Sequence, residues 1–580
     1  MTASLPKLKK IPKCLHDLSE IDLKKISNSI REFLIHQISI TGGHIGANLG
    51  TVELTVALHS VFKSPEEPLL FDTGHQGYTH KILTEREHLF PTLNKYGGMN
   101  RFLTPKESIH DIIEASHAGT SISIGLGMAK ARKLEGDDKH VIAIVGDAAL
   151  AEGSSWEALN HAAVENSNLI IVVNDNGFAI SPGYGGLNDL LASGKKNSKA
   201  FFEALGFCYI GPIDGHDMSA MRKAFKKSKK EKRVPIVHVK SKKGNGWTPA
   251  DDHPYRMHFL PPYDPKTGKL IDNTKPKETY ADIAGSCIEK AMSINNKIVC
   301  LTPSTLYATG LEKAFKEHPE RCIDPGMEEQ HTMSMTVGLA LQGFLPVVAY
   351  QSTFMQRAFD QLIHDVAFNN FPTLILSMRS GFSGYDNPTH HGIYDISFMQ
   401  SIPNLRIFYP KDGKELEKMI FEILDSLDGP VVIMMPYGPS DQLEFGSYNN
   451  ILKPEEILRG EDTVLITVGN KIQSAFRAAK NIKAGLINLR AIHPLPENEL
   501  IDLIKPYKRI VTVEEAVLNG GVGSSVSSLL SDHKLTKELH RIGIPRVFVE
   551  PGSNEELCNI YGLDSAGILK SIQSCWQRDL

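Results

Sequence analysis

Two short apolar runs, separated by an acidic loop and a helical segment, constrain the fold of this chain more than any other feature. The runs 140–145 and 168–173 are rich in β-branched residues and are bounded by polar or glycine residues, as buried strands of a parallel sheet are. Between them Trp156, Leu159 and Ala163 recur at helical spacing. The pattern therefore predicts a strand–helix–strand unit.

Polar side chains follow both strands. Asp147 follows the first run, and Asn176 follows the second 29 residues later. Open α/β sheets bind ligands at the carboxyl ends of their strands, and Asp and Asn oxygens suit Mg2+, which keeps positions free for phosphates. The spacing resembles the thiamine diphosphate motif, which consists of Gly-Asp-Gly, a βα unit and then Asn. In this chain Ala148 replaces the last glycine of Gly-Asp-Gly, and alanine tolerates a positive φ less well than glycine. The alternative is that any βαβ unit can carry an Asp and an Asn at its strand ends.

Composition narrows the class of protein. The 580 residues suffice for several domains, and 41% hydrophobic and 22% charged residues are ordinary for a globular protein. A net charge of −4 gives no electrostatic case for nucleic acid or an anionic membrane. Seven scattered cysteines without a C-x-x-C pair argue against a disulfide framework or a zinc site and predict a cytoplasmic location. Residues 1–10 lack the apolar core of a signal peptide, and no apolar run is long enough to span a bilayer.

Three histidines lie in glycine-containing loops near the start of the chain: His44, His75 and His117. One such histidine before a helix is usually a structural loop residue. Three of them indicate a pocket rich in imidazole, which suits proton transfer and phosphate contacts at neutral pH.

Two linkers rich in proline, glycine or polar residues, 261–279 and 437–456, divide the remaining chain. The N-terminal part also contains an amphipathic helix, 19–38, with Ser19 as N-cap, and a further buried strand, 235–240. Additional strands are predicted at 297–301, 346–350 and 372–377 in the second part and at 463–468, 509–513 and 546–549 in the third.

The densest titratable cluster follows the predicted strand 372–377. It contains Asp386, His390 and His391, with Arg379 upstream. A histidine pair can be a solvated turn, but with an arginine beside it a site for an anionic substrate is at least as well supported.

Taken in order, these motifs make the chain resemble the 1-deoxy-D-xylulose-5-phosphate synthase family of transketolase-like thiamine diphosphate enzymes. The resemblance covers nearly the whole chain and is carried by segments 42–59, 74–83, 211–217, 328–331, 352–361 and 388–392. It implies three doubly wound α/β domains, namely a diphosphate- and Mg-binding domain (1–275), a pyrimidine-binding domain (276–440) and a transketolase C-terminal-like domain (450–580). It also implies a homodimer that condenses pyruvate with D-glyceraldehyde 3-phosphate and releases CO2, with thiamine diphosphate and Mg2+ as cofactors.

The resemblance assigns roles residue by residue. The metal would be held by Asp147, Asn176 and the backbone carbonyl of Phe178. The residues implied to line the cofactor are His75, His117, Ala118, Gly119, Asp147, Ala148, Ala149, Asn176, Trp247 and Glu329, and Glu329 would favour the imino tautomer of the aminopyrimidine. Those implied to act on substrate are His44 and His258 in proton transfer, Asp386 and His390 on the acceptor aldehyde, and Arg379 with Arg490 on its phosphate.

The departures from the family pattern cluster on the acceptor side. Gln351 replaces a Tyr, Met378 replaces an Asp, and Tyr385 and Asn387 flank Asp386 where Ala and Gly are usual. Trp247 also stands in place of a Tyr, and the connection 182–211 is shorter than the family's. Cofactor chemistry is therefore better supported by the sequence than substrate identity.

Two rival functions remain open at this stage. The first is a related enzyme with another aldehyde acceptor or a transketolase-type ketose donor, which the acceptor-side changes motivate. The second is a non-catalytic paralogue, whose expected signature is loss of Glu329 or of the Asp147–Asn176 pair. Neither is lost in this sequence.

Overall fold

The computed structural model describes residues 11–12, 14–272, 274 and 277–576. These form two compact units: the described residues up to Thr274 together with Pro325–Glu328, and the described residues from Lys277 to Asp324 together with those from Glu329 onwards. The segment 1–10, interpreted above as lacking a signal peptide, and the predicted boundary at 275/276 lie outside the described residues.

The first unit is built on a five-stranded sheet in which all described pairings are parallel, in the order β1-β2-β3-β5-β4. Its strands are β1 (Leu69–Phe71), β2 (Val141–Gly146), β3 (Leu169–Asp175), β4 (Cys208–Asp214) and β5 (Pro235–Lys240). Its helices are α1 (Glu20–Thr41), α2 (Ile45–Gly50), α3 (Val52–His59), α4 (Tyr78–Leu83), α5 (Ser121–Glu135), α6 (Asp147–Leu150), α7 (Gly153–Ala162), α8 (Gly186–Ala192), α9 (Lys195–Leu205), α10 (Met218–Ser228) and α11 (Thr248–Asp251), with 3₁₀ turns at Gly74–Gln76 and Glu87–Thr92.

Burial on both faces explains the unbroken apolar runs of the central strands. In β2, Ile142 and Ile144 belong to one buried cluster, whereas Val141, Ala143 and Val145 belong to another on the opposite face. Because successive side chains of a strand point to opposite faces, a sheet covered on both sides requires an apolar residue at every position. The predicted strand–helix–strand unit is thereby confirmed as β2, α7 and β3.

Local capping fixes the start of α1. The Ser19 side chain accepts a hydrogen bond from the backbone N–H of Asp22 at 3.2 Å, which satisfies one of the free donors at the helix N-terminus. The prediction of this helix and of its N-cap is confirmed. The short connection 182–211 holds α8 and α9.

The second unit contains two sheets. The seven-stranded sheet has the order β15-β10-β11-β9-β8-β6-β7 and the five-stranded sheet the order β12-β14-β13-β16-β17; the described pairings are parallel except β10 with β15 and β12 with β14. The strands are β6 (Ile298–Leu301), β7 (Cys322–Ile323), β8 (Leu345–Gln351), β9 (Thr373–Ser380), β10 (Arg406–Phe408), β11 (Pro430–Pro436), β12 (Glu455–Leu458), β13 (Thr463–Thr467), β14 (Gly485–Asn488), β15 (Ala491–His493), β16 (Arg509–Val517) and β17 (Glu538–Ile544).

Helices cover these sheets and share a core between them. They are α12 (Tyr280–Ile294), α13 (Leu306–Thr309), α14 (Glu312–Glu317), α15 (Glu329–Leu341), α16 (Phe359–Gln361), α17 (Asp395–Met399), α18 (Gly413–Asp425), α19 (Ile472–Asn481), α20 (Glu497–Ile504), α21 (Val522–Asp532), α22 (Asn554–Ile560) and α23 (Ser565–Trp576). Short 3₁₀ or π turns occupy Pro319–Arg321, Ser352–Ala358, Leu362–Ala367, Pro388–His390 and Gly469–Lys471. One buried cluster joins Val348 and Ile375 of the larger sheet to Ile466 and Ile510 of the smaller one.

One predicted strand is wrong. Residues 546–549 form no strand, and β17 is instead Glu538–Ile544, which pairs with β16. The sequence of β17 mixes charged and apolar residues, so it lacks the apolar run by which the other strands were recognised. None of the helices in the described ranges combines the length and the apolar composition that spanning a bilayer requires.

Candidate active site

Asp147 and Asn176 emerge from neighbouring parallel strands. Gly146 of β2 pairs with Asn174 of β3, so the residues that follow lie at the same edge of the sheet. The Asp147 Oδ2 accepts a hydrogen bond from the backbone N–H of Gly177 at 2.8 Å, whereas its Oδ1 is buried and has no hydrogen-bond partner among the described residues. The Asn176 Oδ1 accepts the backbone N–H of Phe178 at 2.9 Å, which fixes the loop. A buried carboxylate oxygen without a partner fits a bound cation.

The electrostatics around Asp147 favour the same conclusion. Burial, together with the nearby Asp175, raises the pKa of the Asp147 carboxyl to about 7. Lys243 is also buried, and burial lowers the pKa of its ammonium group to about 7 although Asp147 acts in the opposite direction. The Lys243 Nζ donates to the backbone carbonyl of Ala179 at 2.7 Å, so its charge is held beside the loop that carries Phe178. The residues present therefore fit a divalent cation and an anionic group bound together.

Ala148 causes no backbone strain at this site. It lies within α6, a single helical turn, where the right-handed conformation suits alanine as well as glycine. Its methyl group therefore does not require the positive φ that a glycine would permit. Ala149 follows in the same turn and is buried.

Three imidazoles meet in the first unit. The ring centroids of His44 and His75 are 5.1 Å apart, those of His44 and His258 5.4 Å, and those of His75 and His258 5.3 Å. Burial lowers the pKa of His75 to about 4, and burial reinforced by Lys243 lowers that of His258 well below its ordinary value. His75 and His258 are therefore neutral at pH 7, and each ring offers one N–H donor and one acceptor nitrogen for hydrogen bonds.

The turn His117–Gly119 is positioned by Asp72, which directly follows β1. The Asp72 carboxylate accepts backbone N–H groups from Gly119 at 2.9 Å and from Ser121 at 3.0 Å. Gly119 has a φ of +85°, a conformation that favours glycine. Sequence reasoning missed Asp72, although an Asp directly after a buried strand is the signal by which Asp147 was found.

Sequence reasoning also missed Lys243. It lies in a pair of lysines before Gly244, and such charge runs are usually solvated. Trp247 is buried, and its indole N–H donates to the carbonyl of Pro265 at 2.9 Å while its ring lies 5.1 Å from that of Tyr263. These contacts place Trp247 in the packing of its own segment, and its contact with a cofactor stays a prediction.

Glu329 is the first residue of α15 in the second unit and is buried. The hydroxyl of Tyr350, at the end of β8, donates to the backbone carbonyl of Glu329 at 2.9 Å and so fixes the start of the helix. Glu329 and burial both raise the pKa of the Tyr350 hydroxyl, which therefore stays protonated as a donor. The backbone at Glu329 is therefore fixed, and its side chain is buried.

The predicted acceptor residues follow β9. The Arg379 NH1 lies 3.0 Å from Asp386 Oδ2, and its guanidinium stacks over the ring of Tyr437 at 4.7 Å. Arg379 has a φ of +61°, a strained conformation for a non-glycine residue that functional sites often retain. His390 is buried, with its ring 5.4 Å from that of Phe354. The structure thus brings Arg379 and Asp386 into direct contact.

Two departures from the family pattern are neighbours in space. Gln351 of β8 and Met378 of β9 are register partners, and both side chains are buried. Tyr385, a third departure, donates its hydroxyl to Glu556 Oε2 at 2.5 Å. Gln351 and Met378 therefore lie side by side, directly before Arg379 in the case of Met378, whereas the contact of Tyr385 is with Glu556.

Arg490 is buried and surrounded by carboxylate and carbonyl oxygens. Its side chain is 2% exposed, its Nε donates to Glu415 Oε1 at 2.7 Å, and its NH2 donates to Glu455 Oε2 at 2.7 Å. The remaining donors reach the backbone carbonyls of Ser447, Asn449, Asn450 and Lys453. These contacts engage all five N–H groups of the guanidinium in this structure, and the phosphate role of Arg490 stays a prediction.

Comparisons with known protein families define the class first. The model for the transketolase pyrimidine-binding domain matches residues 277–438, and the model for the transketolase C-terminal domain matches residues 453–568. The chain is therefore a transketolase-type enzyme of the thiamine diphosphate class. The N-terminal residues 6–200 and 193–241 match the model described as 1-deoxy-D-xylulose-5-phosphate synthase.

Relatives over the full length agree with that match. Three relatives named 1-deoxy-D-xylulose-5-phosphate synthase align with this chain over nearly its full length. The protein from Caldanaerobacter subterraneus is 37% identical to this chain, and the alignment covers 96% of this chain and 97% of the relative. The proteins from Aquifex aeolicus and Listeria welshimeri are 36% and 38% identical, with coverage of 95% and 96% of both chains. A solved structure of transketolase from Campylobacter jejuni is 18% identical, with a TM-score of 0.44 over 96% of this chain and 100% of that chain. The chain belongs to the 1-deoxy-D-xylulose-5-phosphate synthase family.

Proposed function

We propose that this chain condenses pyruvate with D-glyceraldehyde 3-phosphate to give 1-deoxy-D-xylulose 5-phosphate and CO2, using thiamine diphosphate and Mg2+. Membership of the family makes the chain a thiamine diphosphate-dependent transferase. The observation that carries the assignment of the metal site is the buried Asp147 Oδ1, which has no protein partner among the described residues.

Asp147, Asn176 and the backbone carbonyl of Phe178 would hold the Mg2+ ion. The cofactor would be lined by His75, the turn His117–Gly119, Ala148, Ala149 and Trp247, and we add the Lys243 ammonium as a counter-charge for its diphosphate. When bound, the cofactor supplies the nucleophilic carbon and the electron sink for decarboxylation. The neutralisation of Asp147 by a cation removes the cost of a buried, uncompensated charge.

The remaining residues would orient groups and hold protons. The Glu329 carboxyl, fixed at the start of α15, would hold a proton at the aminopyrimidine ring. His44 and His258 would assist proton transfers around the reacting carbon, and His258, whose pKa lies well below its ordinary value, would be present as the neutral ring at pH 7. Asp386 and His390 would contact the aldehyde group of the acceptor. Arg379 would contact the distal end of the acceptor.

Purified full-length protein with thiamine diphosphate and Mg2+ tests this proposal. With pyruvate and D-glyceraldehyde 3-phosphate we expect CO2 release and a product with the mass of 1-deoxy-D-xylulose 5-phosphate. Asp147→Ala should abolish both, whereas Asp251→Ala, an exposed carboxylate beside Lys242, should leave both unchanged. No CO2 from pyruvate in the wild type would show the donor assignment to be wrong.

A transketolase-type reaction is the alternative that the neighbouring Gln351 and Met378 favour. It predicts ketol transfer from a ketose phosphate with no CO2 release. Product analysis with both donors in the same buffer separates the two reactions. A non-catalytic paralogue would give no product with either donor.

We further propose that the chain acts as a homodimer in the cytoplasm. The proposal of a dimer is supported by the family resemblance, and that of the location by the scattered, unpaired cysteines, which suit a reducing compartment. Sedimentation equilibrium of the cofactor-loaded protein should give twice the mass of one chain. A single-chain mass at micromolar concentration would argue against the dimer.

A further inference from the structure

A groove with a basic lining lies along one face of α10 in the first unit. Its volume is about 440 Å³, and it is lined by Glu20, Ser219, Arg222, Lys223, Lys226, Lys227 and Lys230. The lining positions within the helix recur at intervals of three and four residues, which places their side chains on the same face. The opposite face of α10, with Met221 and Phe225, is buried in the core. The helix therefore has one apolar face and one cationic face.

The composition of the groove differs from that of an ordinary solvated helix face. Solvated faces usually mix charges of both signs, as the whole chain does with 63 basic and 67 acidic residues. The groove has five cations and one carboxylate. The dipole of the helix favours Lys226 and Lys227, which lie in its last turn, but it does not explain Arg222 and Lys223 in the middle of the helix.

Most of the lysines in the groove are not neutralised by carboxylates. Lys227 lies 3.9 Å from Glu231, a long contact between exposed or half-exposed groups. Lys223, Lys226 and Lys230 are exposed and form no ion pair within the described part of the chain. An anion that enters the groove therefore meets cations that do not first have to leave another partner.

Arg222 is the cation whose position is fixed. Its NH1 donates to the backbone carbonyl of Leu18 at 3.3 Å, and its NH2 donates to that of His16 at 3.0 Å. Its Nε is buried and has no hydrogen-bond partner among the described residues. Because carbonyl oxygens hold the guanidinium without cancelling its charge, Arg222 supplies a fixed positive charge in the wall of the groove.

The length of the cationic row favours an anion with several linked charges. Arg222 and Lys227 are separated by about 7.5 Å along the helix axis, and Lys230 continues the row beyond the end of α10. A single phosphate contacts only neighbouring cations of such a row, whereas linked phosphates place successive charges along it. A volume of about 440 Å³ lies within the range of small-molecule sites. The net charge of −4 gives no support for a long polyanion such as nucleic acid.

We propose that this groove binds a small molecule that carries two or more linked phosphates, such as a nucleoside triphosphate. None of the lining residues is among those assigned above to the cofactor, the metal or the substrates. The site is therefore additional to the proposed carboligation and does not depend on it.

Calorimetric titration of the cofactor-loaded full chain with tripolyphosphate tests the site, because the cofactor then occupies the proposed diphosphate site. We expect a Kd below about 1 mM at about 50 mM salt. Binding should weaken at least about tenfold at about 300 mM salt, because salt screens exposed charges. Inorganic phosphate should bind at least about tenfold more weakly than tripolyphosphate. A Kd above about 1 mM, or equal affinity for the two anions, overturns the proposal.

Two variants with the same loss of charge locate the site. The groove variant combines Lys223→Gln, Lys226→Gln and Lys230→Gln. The control variant removes three exposed lysines of α9 and combines Lys195→Gln, Lys196→Gln and Lys199→Gln. The groove variant should bind tripolyphosphate at least about tenfold more weakly, and the control should bind it as the wild type does. A smaller loss in the groove variant, or an equal loss in the control, overturns the proposal.

Two further measurements separate this groove from other polyphosphate sites. Asp147→Ala changes the proposed metal site and leaves the groove intact, so it should bind tripolyphosphate with wild-type affinity. Loss of binding in this variant would place the anion at the sheet edge of Asp147 and overturn the proposal. A mixed-sequence single-stranded oligonucleotide should bind more weakly than tripolyphosphate. Tighter binding of the oligonucleotide, lost in the groove variant, would assign the groove to nucleic acid and overturn the small-molecule class.

Discussion

Replacing Glu415 by glutamine should destabilise the contact between the two sheets of the second unit. The Glu415 carboxylate is fully buried and accepts hydrogen bonds from the Lys411 backbone N–H at 2.6 Å, the Lys411 Nζ at 2.8 Å and the Arg490 Nε at 2.7 Å. Asn488 of β14 also donates to it, at 3.1 Å. Glu415 lies on α18, whereas Asn488 ends β14 of the smaller sheet and Arg490 follows it, so one carboxylate links the helix to that sheet.

The expected magnitude follows from the charge balance. Lys411 and Arg490 are compensated by Glu415 and Glu455, and the glutamine leaves two cations with one carboxylate. Removing one partner of a buried ion pair typically costs about 3–5 kcal/mol. At about 1.4 kcal/mol per factor of ten, this corresponds to roughly a 10²–10⁴-fold rise in the open population of the affected region.

Hydrogen-exchange mass spectrometry measures this change by region. Amides of residues 485–493 should exchange faster by that factor, whereas those of β2 in the first unit should exchange as in the wild type. Glu417→Gln is the matched control, because Glu417 lies on the same helix with its side chain 46% exposed and its partner Lys290 3.6 Å away. This substitution should lower the free energy of unfolding by less than about 0.5 kcal/mol. Acceleration below tenfold in 485–493, or equal acceleration in β2, would refute the reasoning.

Three further changes test other parts of the structure. Lys243→Met should weaken thiamine diphosphate binding at least about tenfold in a calorimetric titration with Mg2+ present, because a buried counter-charge is lost; unchanged affinity would contradict that role. Burial raises the pKa of the Glu67 carboxyl, but hydrogen bonds that include one from Lys229 outweigh it and lower that pKa to about 2. The stability that this ion pair adds should therefore be complete above about pH 4.5 and lost as the pH falls towards 2. Urea unfolding of Glu67→Gln and wild type should therefore differ at pH 7 and converge near pH 2, and a constant difference would refute the assignment. Ser19→Ala should cost about 1 kcal/mol in the same measurement at pH 7, through loss of the cap on Asp22, and an unchanged midpoint would show that the cap contributes nothing.

The sheet edge of the first unit that carries Asp147 and Asn176 was predictable because its signals are local. A strand buried on both faces must be apolar at every position, and parallel pairing of two such strands brings the following residues together. Asp147 and Asn176 could therefore be predicted as neighbours from the two runs and the helix between them. The imidazole pocket was predicted from glycine-containing loops, and the structure adds the ring of His258 to those of His44 and His75.

Residues whose role depends on distant partners were not predictable in the same way. Arg490 looks like a free arginine after a strand, but its carboxylate partners lie 75 and 35 positions earlier in the chain. Lys243 reads as a solvated charge beside Lys242, yet tertiary packing buries it near Asp147. Neither environment leaves a trace in local composition.

By itself, the sequence determined the class of fold, the order of the motifs and the residue types expected to meet a diphosphate and a divalent cation, because hydrophobic period, turn chemistry and spacing act over a few neighbouring positions. Only the tertiary structure decided how far each charged side chain is enclosed by its partners. That distinction separates Arg379, which pairs with Asp386 and keeps 21% of its side chain exposed, from Arg490, whose side chain is 2% exposed. It depends on desolvation and on partners that folding brings together from remote parts of the chain, and no local pattern contains it.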